Sequence, residues 1–96
     1  MRDENVYKDM INAIVESKIE IFGQFALTKA RTVTDIQFDA DGKVVSFLND
    51  PEQALDHLLL KFEDISGIIS NYTAQVVITK ILDKYPDIEL PDRLKN

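Results

Sequence analysis

Leu55, Leu58, Phe62, Ile65, Ile69, Tyr72, Val76 and Thr79 follow one another at alternating steps of three and four. Seven of these eight positions are apolar, which is the seam of a helix that packs along another helix. The phase runs unbroken past Gly67, Ser70 and Asn71. It predicts one long helix, straight or kinked, over residues 51–85, about 34 residues and about 50 Å in length. The competing reading breaks the helix near Gly67, with Ser70 or Asn71 capping a further one. A compact chain of this size has a radius of gyration of about 13 Å. It is too small to bury a helix of that length, and a second copy is the simplest cover.

The start of that helix is the clearest local signal. In Asn49-Asp50-Pro51-Glu52-Gln53, Asp50 suits the N-cap, Pro51 the first turn, and Gln53 completes a capping-box-like pattern. An earlier segment, from about Glu4 to Lys29, carries Ile11, Val15, Ile19, Phe22 and Ala26 at helical spacing. A neighbouring stripe holds Tyr7, Ile14, Ile21 and Phe25. Asp3 or Asn5 suits its N-cap, and Lys29 and Arg31 suit its C-terminal end. Gly23 falls inside this helix and is read as a point where another element approaches closely, with a hinge as the less favoured reading. Between the two helical segments, residues 34–40 and 43–48 alternate around Asp41-Gly42, a two-residue hairpin signal. That loop pairs Phe38 with Val45 and Ile36 with Phe47, placing all four on one face. Pro86 stops the last helix, and residues 86–96 form an extended tail, partly frayed, with Ile88 and Leu90 as anchors.

The element order is therefore α+β: helix, β-hairpin, long helix, in a single domain over residues 1–96. A two-stranded sheet is marginal alone, so homodimerisation is expected to complete the fold. The expected interface is Leu55, Leu58, Phe62, Ile65, Ile69, Tyr72 and Val76. Two hairpins could also join across their open edges. Five-stranded regulatory folds of similar length are not matched, because only one hairpin is legible.

Charge and composition narrow the function. Acidic residues number 17 against 11 basic, for a net charge of −6. Neither half is basic, which argues against nucleic acid. No apolar run approaches the roughly 18 residues of a membrane span. The start lacks a signal-peptide pattern, so a cytoplasmic protein is expected. There is no cysteine, which removes thiol nucleophiles, zinc ribbons and iron–sulfur ligation. His57, the one histidine, is placed on a polar helical side, without a carboxylate at metal-ligand spacing. Asp39-Ala40-Asp41-Gly42 has the look of a calcium-loop centre, but Gln37 and Leu48 stand where end ligands are needed. The scattered glycines form no phosphate loop.

No catalytic residue, metal or cofactor is assigned. The expected function is a non-enzymatic regulatory or scaffold module, working through homodimerisation and contact with another protein. The alternative is a small-molecule sensor with an apolar pocket lined by Phe22, Phe25, Phe38, Phe47 and Tyr72.

Overall fold

A computed structural model describes residues 3–95. The element order is α1 (Glu4–Phe22), α2 (Gln24–Ala30), β1 (Ile36–Phe38), β2 (Val44–Phe47), α3 (Pro51–Ser66), α4 (Ile69–Lys84) and a 3-10 turn, Asp92–Leu94. The class is α+β, mostly helical, with one antiparallel hairpin.

Both expected N-caps form. Asp3 Oδ1 accepts from Asn5 N at 2.9 Å, and Asp50 Oδ2 accepts from Gln53 N at 3.2 Å behind Pro51. Each satisfies a backbone donor that the first helical turn leaves without an internal partner.

The two long helices of the sequence reading are each broken by a glycine. Gly23 has φ +68°, and α1 ends there as its N–H bonds Ile19 O at 2.7 Å. A Cβ on Gly23 would meet nothing within 4 Å. Close approach of another element is therefore not its reason. The backbone itself is: with ψ −156° this positive φ lies in a region that essentially only glycine enters. Gly67 repeats the device, with φ +64° and its N–H on Glu63 O at 2.8 Å. The single helix over 51–85 is thus corrected to two, α3 and α4. The longest extent of the molecule is 32 Å, well short of the roughly 50 Å that one straight helix needs. Neither Ser70 nor Asn71 caps α4. Ile68 holds that position without a side-chain bond.

The core lies where α1, α3 and α4 meet. Tyr7, Met10, Ile11 and Ile14 of α1 pack with Leu55, Leu58, Leu59 and Phe62 of α3 and with Ala74 and Ile78 of α4. All are buried. The hairpin closes one side through Ile36 and Val44. Asn12 Oδ1 of α1 accepts from Val44 N at 2.9 Å, and Lys43 pairs with Glu16 at 3.6 Å. The tail turns at Pro86 and Asp87, and beyond it Ile88 is buried and Leu90 partly buried. It ends in the Asp92–Leu94 turn, which the sequence does not announce.

The hairpin is where expected but its register is only half as expected. Ile36 pairs with Phe47, whereas Phe38 pairs with Val44, and Val45 bulges out more than half exposed. The loop is one residue longer than the Asp-Gly reading. Gly42 N bonds Asp39 O at 3.0 Å, and Asp39 N bonds Lys43 O at 2.8 Å. Only Gly42 in this loop has positive φ, at 85°, so Asp41 does not take the conformation a two-residue turn requires. Asp39 organises the loop instead, its Oδ1 accepting from Asp41 N at 2.9 Å and Lys43 N at 3.0 Å. The Val45 bulge then absorbs the extra residue and returns Ile36 and Phe47 to register.

Gly42→Val should destabilise the protein by about 1–3 kcal/mol in urea unfolding. Its Cβ would sit 2.9 Å from Leu27 Cδ1 in addition to the left-handed strain. Unchanged stability would contradict the turn geometry.

Candidate functional site

The seam from Leu55 to Thr79 divides at Gly67. Leu55, Leu58 and Phe62 are fully buried by the chain itself, and Ile65 is partly buried against the core. The first three are thus not available to a second copy, and Ile65 is available only in part. Ile69, Tyr72 and Val76 remain, 60%, 60% and 75% exposed, with Ile68 beside them at 71%. Leu59 of α3 is fully buried as well.

Helix α4 is apolar on two sides. Ala74 and Ile78 face the core, while Ile69, Tyr72 and Val76 face outward. No charged residue occurs between Asp64 and Lys80. Lys18 of α1 bonds Thr73 and Ser70 of α4, and Lys29 of α2 pairs with Asp64 at the end of α3 at 3.5 Å. Along the chain these two ties bracket Ile21 and Phe25, both more than half exposed.

Lys18 is a buried cation that sequence reasoning passed over. Only 2% of the residue is exposed. Its Nζ donates to Thr73 Oγ1 at 2.6 Å and Ser70 O at 3.3 Å, and lies 5.9 Å from the Phe62 ring centre. Burial holds its amine below the ordinary lysine value. Between that lowered value and the ordinary one, the unfolded chain binds a proton that the folded chain does not. Stability from this group therefore rises with pH across that window. Lys18→Met should flatten the rise. It should also raise stability near pH 7 by about 1 kcal/mol, because a buried charge is replaced by an apolar side chain. Thr73 Oγ1 already donates to Ser70 O at 2.9 Å, so the substitution orphans neither group. Urea unfolding of both proteins from pH 7 to 10.5 checks this, and parallel pH curves would contradict it.

His57 sits on the polar side of α3 as expected, but not alone. Its Nδ1 donates to Asp35 Oδ2 at 2.9 Å, with the imidazole half-exposed and the carboxylate largely covered. A carboxylate orienting an imidazole is the arrangement of a general base. Among the described residues the ring makes no other hydrogen bond, so no hydroxyl is held in reach as a nucleophile. Because Asp35 O also accepts from Leu48 N at 2.8 Å, the pair ties the hairpin to α3. Among the described residues, no group of three His, Cys, Asp or Glu side chains is placed to hold a metal.

A third arrangement joins the tail to the helices. Arg93 donates through Nη1 to Asp56 Oδ1 at 2.7 Å and through Nε to Glu63 Oε2 at 2.8 Å. Asn71 Nδ2 donates to the same Glu63 oxygen at 2.8 Å, and Gln75 Nε2 donates to Leu94 O at 3.0 Å. The Asn71 bond, with Arg93 adding to it against the effect of burial, holds the Glu63 carboxyl below its ordinary value. Asp56 and then Glu63 raise the Arg93 guanidinium. Beside this cluster is a cavity of about 590 Å³ walled by Glu63, Ile68, Asn71, Tyr72, Gln75, Asp92, Arg93 and Lys95.

Tyr72 is the one residue of the expected apolar pocket that borders this cavity. Phe22, Phe38 and Phe47 are partly buried against the core, and Phe25 is exposed. The five do not line one common cavity there.

No family model matches the chain, and no curated protein or solved structure is detectably similar to it. Among the described residues, no helix is long and apolar enough to cross a membrane.

Proposed function

We propose that the protein is a non-enzymatic regulatory or scaffold module that works as a homodimer and offers a surface to another protein. The observation that carries this reading is the outer face of α4, where Ile68, Ile69, Tyr72 and Val76 stand in solvent on a helix already apolar towards the core. A contiguous apolar face left in solvent marks a surface for association, because covering it removes that area from water.

A second copy is the occupant the charges favour. Each chain carries a net charge of −6, so two copies repel wherever their acidic residues meet. The stretch between Asp64 and Lys80 is free of charge, and there the repulsion and the desolvation cost are least. Pairing α4 with its symmetry mate brings the same stripe together twice, the self-complementary arrangement of a twofold dimer. The hairpin edge is less suited, because Asn12 already occupies the Val44 N–H.

The absence of chemistry is part of the proposal. The Asp35–His57 pair lacks a nucleophile in hydrogen-bond reach among the described residues. Affinity capture with wild type, His57→Ala and Ile68→Asp tests this, with folding checked by circular dichroism. His57→Ala should retain the captured partner and Ile68→Asp should lose it. The reverse pattern would redirect attention to His57.

A further inference from the structure

The Asp35–His57 pair has a capacity that its tethering role does not use. Nδ1 of the ring donates to Asp35 Oδ2 at 2.9 Å, and among the described residues the ring makes no other hydrogen bond. A proton held on Nδ1 leaves the lone pair of the neutral imidazole on Nε2. The histidine side chain is 49% exposed and the aspartate side chain only 12%. The carboxylate is thus the covered partner, and the imidazole is the one offered to solvent. Asp35 is itself held, since its backbone oxygen accepts from Leu48 N at 2.8 Å. His57 stands within the regular span of α3, Pro51–Ser66. Both ends of the pair are therefore fixed, and Nε2 remains uncommitted. No hydroxyl of the chain is in reach for Nε2 to deprotonate, so its lone pair is available for attack on an external electrophile. Lys61, the one cation of α3, follows at i+4, the spacing that sets two side chains side by side on a helix.

We infer that His57 Nε2 is a phosphoryl-acceptor site, charged by an acyl phosphate, with Asp35 as its positioning residue. The Nε2 lone pair forms the new N–P bond as the bond from phosphorus to the bridging oxygen breaks. The carboxylate leaves with that electron pair. Nδ1 keeps its proton throughout, so the product ring carries a positive charge, and the Nδ1–H bond to Asp35 becomes a charge-assisted one. The phosphoryl group brings negative charge to a helix face whose cation is Lys61. An acyl phosphate is named because its transfer potential reaches that of a phosphorus–imidazole bond, which a simple phosphate ester's does not. The chain accepts a group and turns nothing over, so the non-enzymatic reading stands. The inference does not rest on the dimer, since His57 is on α3 and outside the exposed stripe of α4.

The test is incubation of the full chain with acetyl phosphate at about pH 8, where the imidazole of the reference compound N-acetylhistidine amide is neutral. Mass spectrometry should show one added phosphoryl group, labile to acid and stable to alkali. His57 is the one histidine of the chain, so His57→Gln should abolish the product. The wild-type rate should exceed that of N-acetylhistidine amide by at least about tenfold, the order by which an orienting carboxylate tunes an imidazole nitrogen. Asp35→Asn, with folding checked by circular dichroism, should lose most of that advantage. Nitrogen–phosphorus coupling in NMR of the labelled protein should place the group on Nε2. A wild-type rate no higher than that of N-acetylhistidine amide would overturn the inference. A group found on Nδ1 would do so as well, and so would a folded Asp35→Asn that reacts as fast as wild type. The first two readings decide the matter even where Asp35→Asn does not fold.

Discussion

Val76→Asp should convert a dimer into a folded monomer, weakening self-association by at least about a hundredfold. Val76 is 75% exposed on α4, so in a lone chain the new carboxylate meets water, and the fold loses about 0.5 kcal/mol or less. In a twofold pair the same carboxylate enters an apolar seam, and symmetry places a second one there. Each loses its hydration without gaining a partner. The change is thus selective for assembly, which Ile65→Asp would not be, because Ile65 also packs against the core. Sedimentation velocity together with circular dichroism reads both consequences. A variant that sediments like wild type would place the interface elsewhere.

Phe62→Ala should have the opposite profile, a large loss of stability. Phe62 is fully buried, packs in the core and lies under the Lys18 ammonium. Removing a buried phenylalanine ring costs about 3–5 kcal/mol, against a total stability of about 5–15 kcal/mol for a native protein. For a domain of this size that lowers Tm by about 15 °C or more. Lys18 would also lose the aromatic face beside it, leaving its charge less compensated. A thermal melt of the purified variant measures the effect. A loss below about 1 kcal/mol would mean that Phe62 is not the core residue its burial implies. The two substitutions stand fourteen residues apart on one sequence stripe, at Phe62 and Val76. Their contrast tests whether the stripe serves the monomer in its first half and a partner in its second.

That division is what periodicity alone does not reveal. Ile65 and Ile69 keep the seam in phase across Gly67, although the chain between them leaves the helix at φ +64°. Spacing records that both sides of the break are amphipathic. It does not record which neighbour each covers. The start of α3 is legible because its determinants are adjacent: Asp50, Pro51 and Gln53 act on one another's backbone. The hairpin's place is legible for the same reason, and its register is not, since Asp39 draws the loop into three residues and Val45 bulges to compensate.

The candidate sites were legible least, because each joins distant residues. Asp35 and His57 are 22 positions apart, and Arg93 reaches Glu63 and Asp56 over 30 and 37. Asn71 reads in sequence as a helix cap, and its bond to Glu63 joins α4 to α3 instead. Lys18 carries a faint signal, a lone cation between the apolar positions Ile14 and Ile21. Its hydroxyl and carbonyl partners on α4 carry none.

If a second copy covers α4, sedimentation equilibrium of the wild-type chain across the micromolar range will show it. The expected mass is twice 11.0 kDa; it should fall towards the single-chain value on dilution, and Val76→Asp should hold it there at every concentration. A well-folded species of 11.0 kDa at every concentration would contradict it.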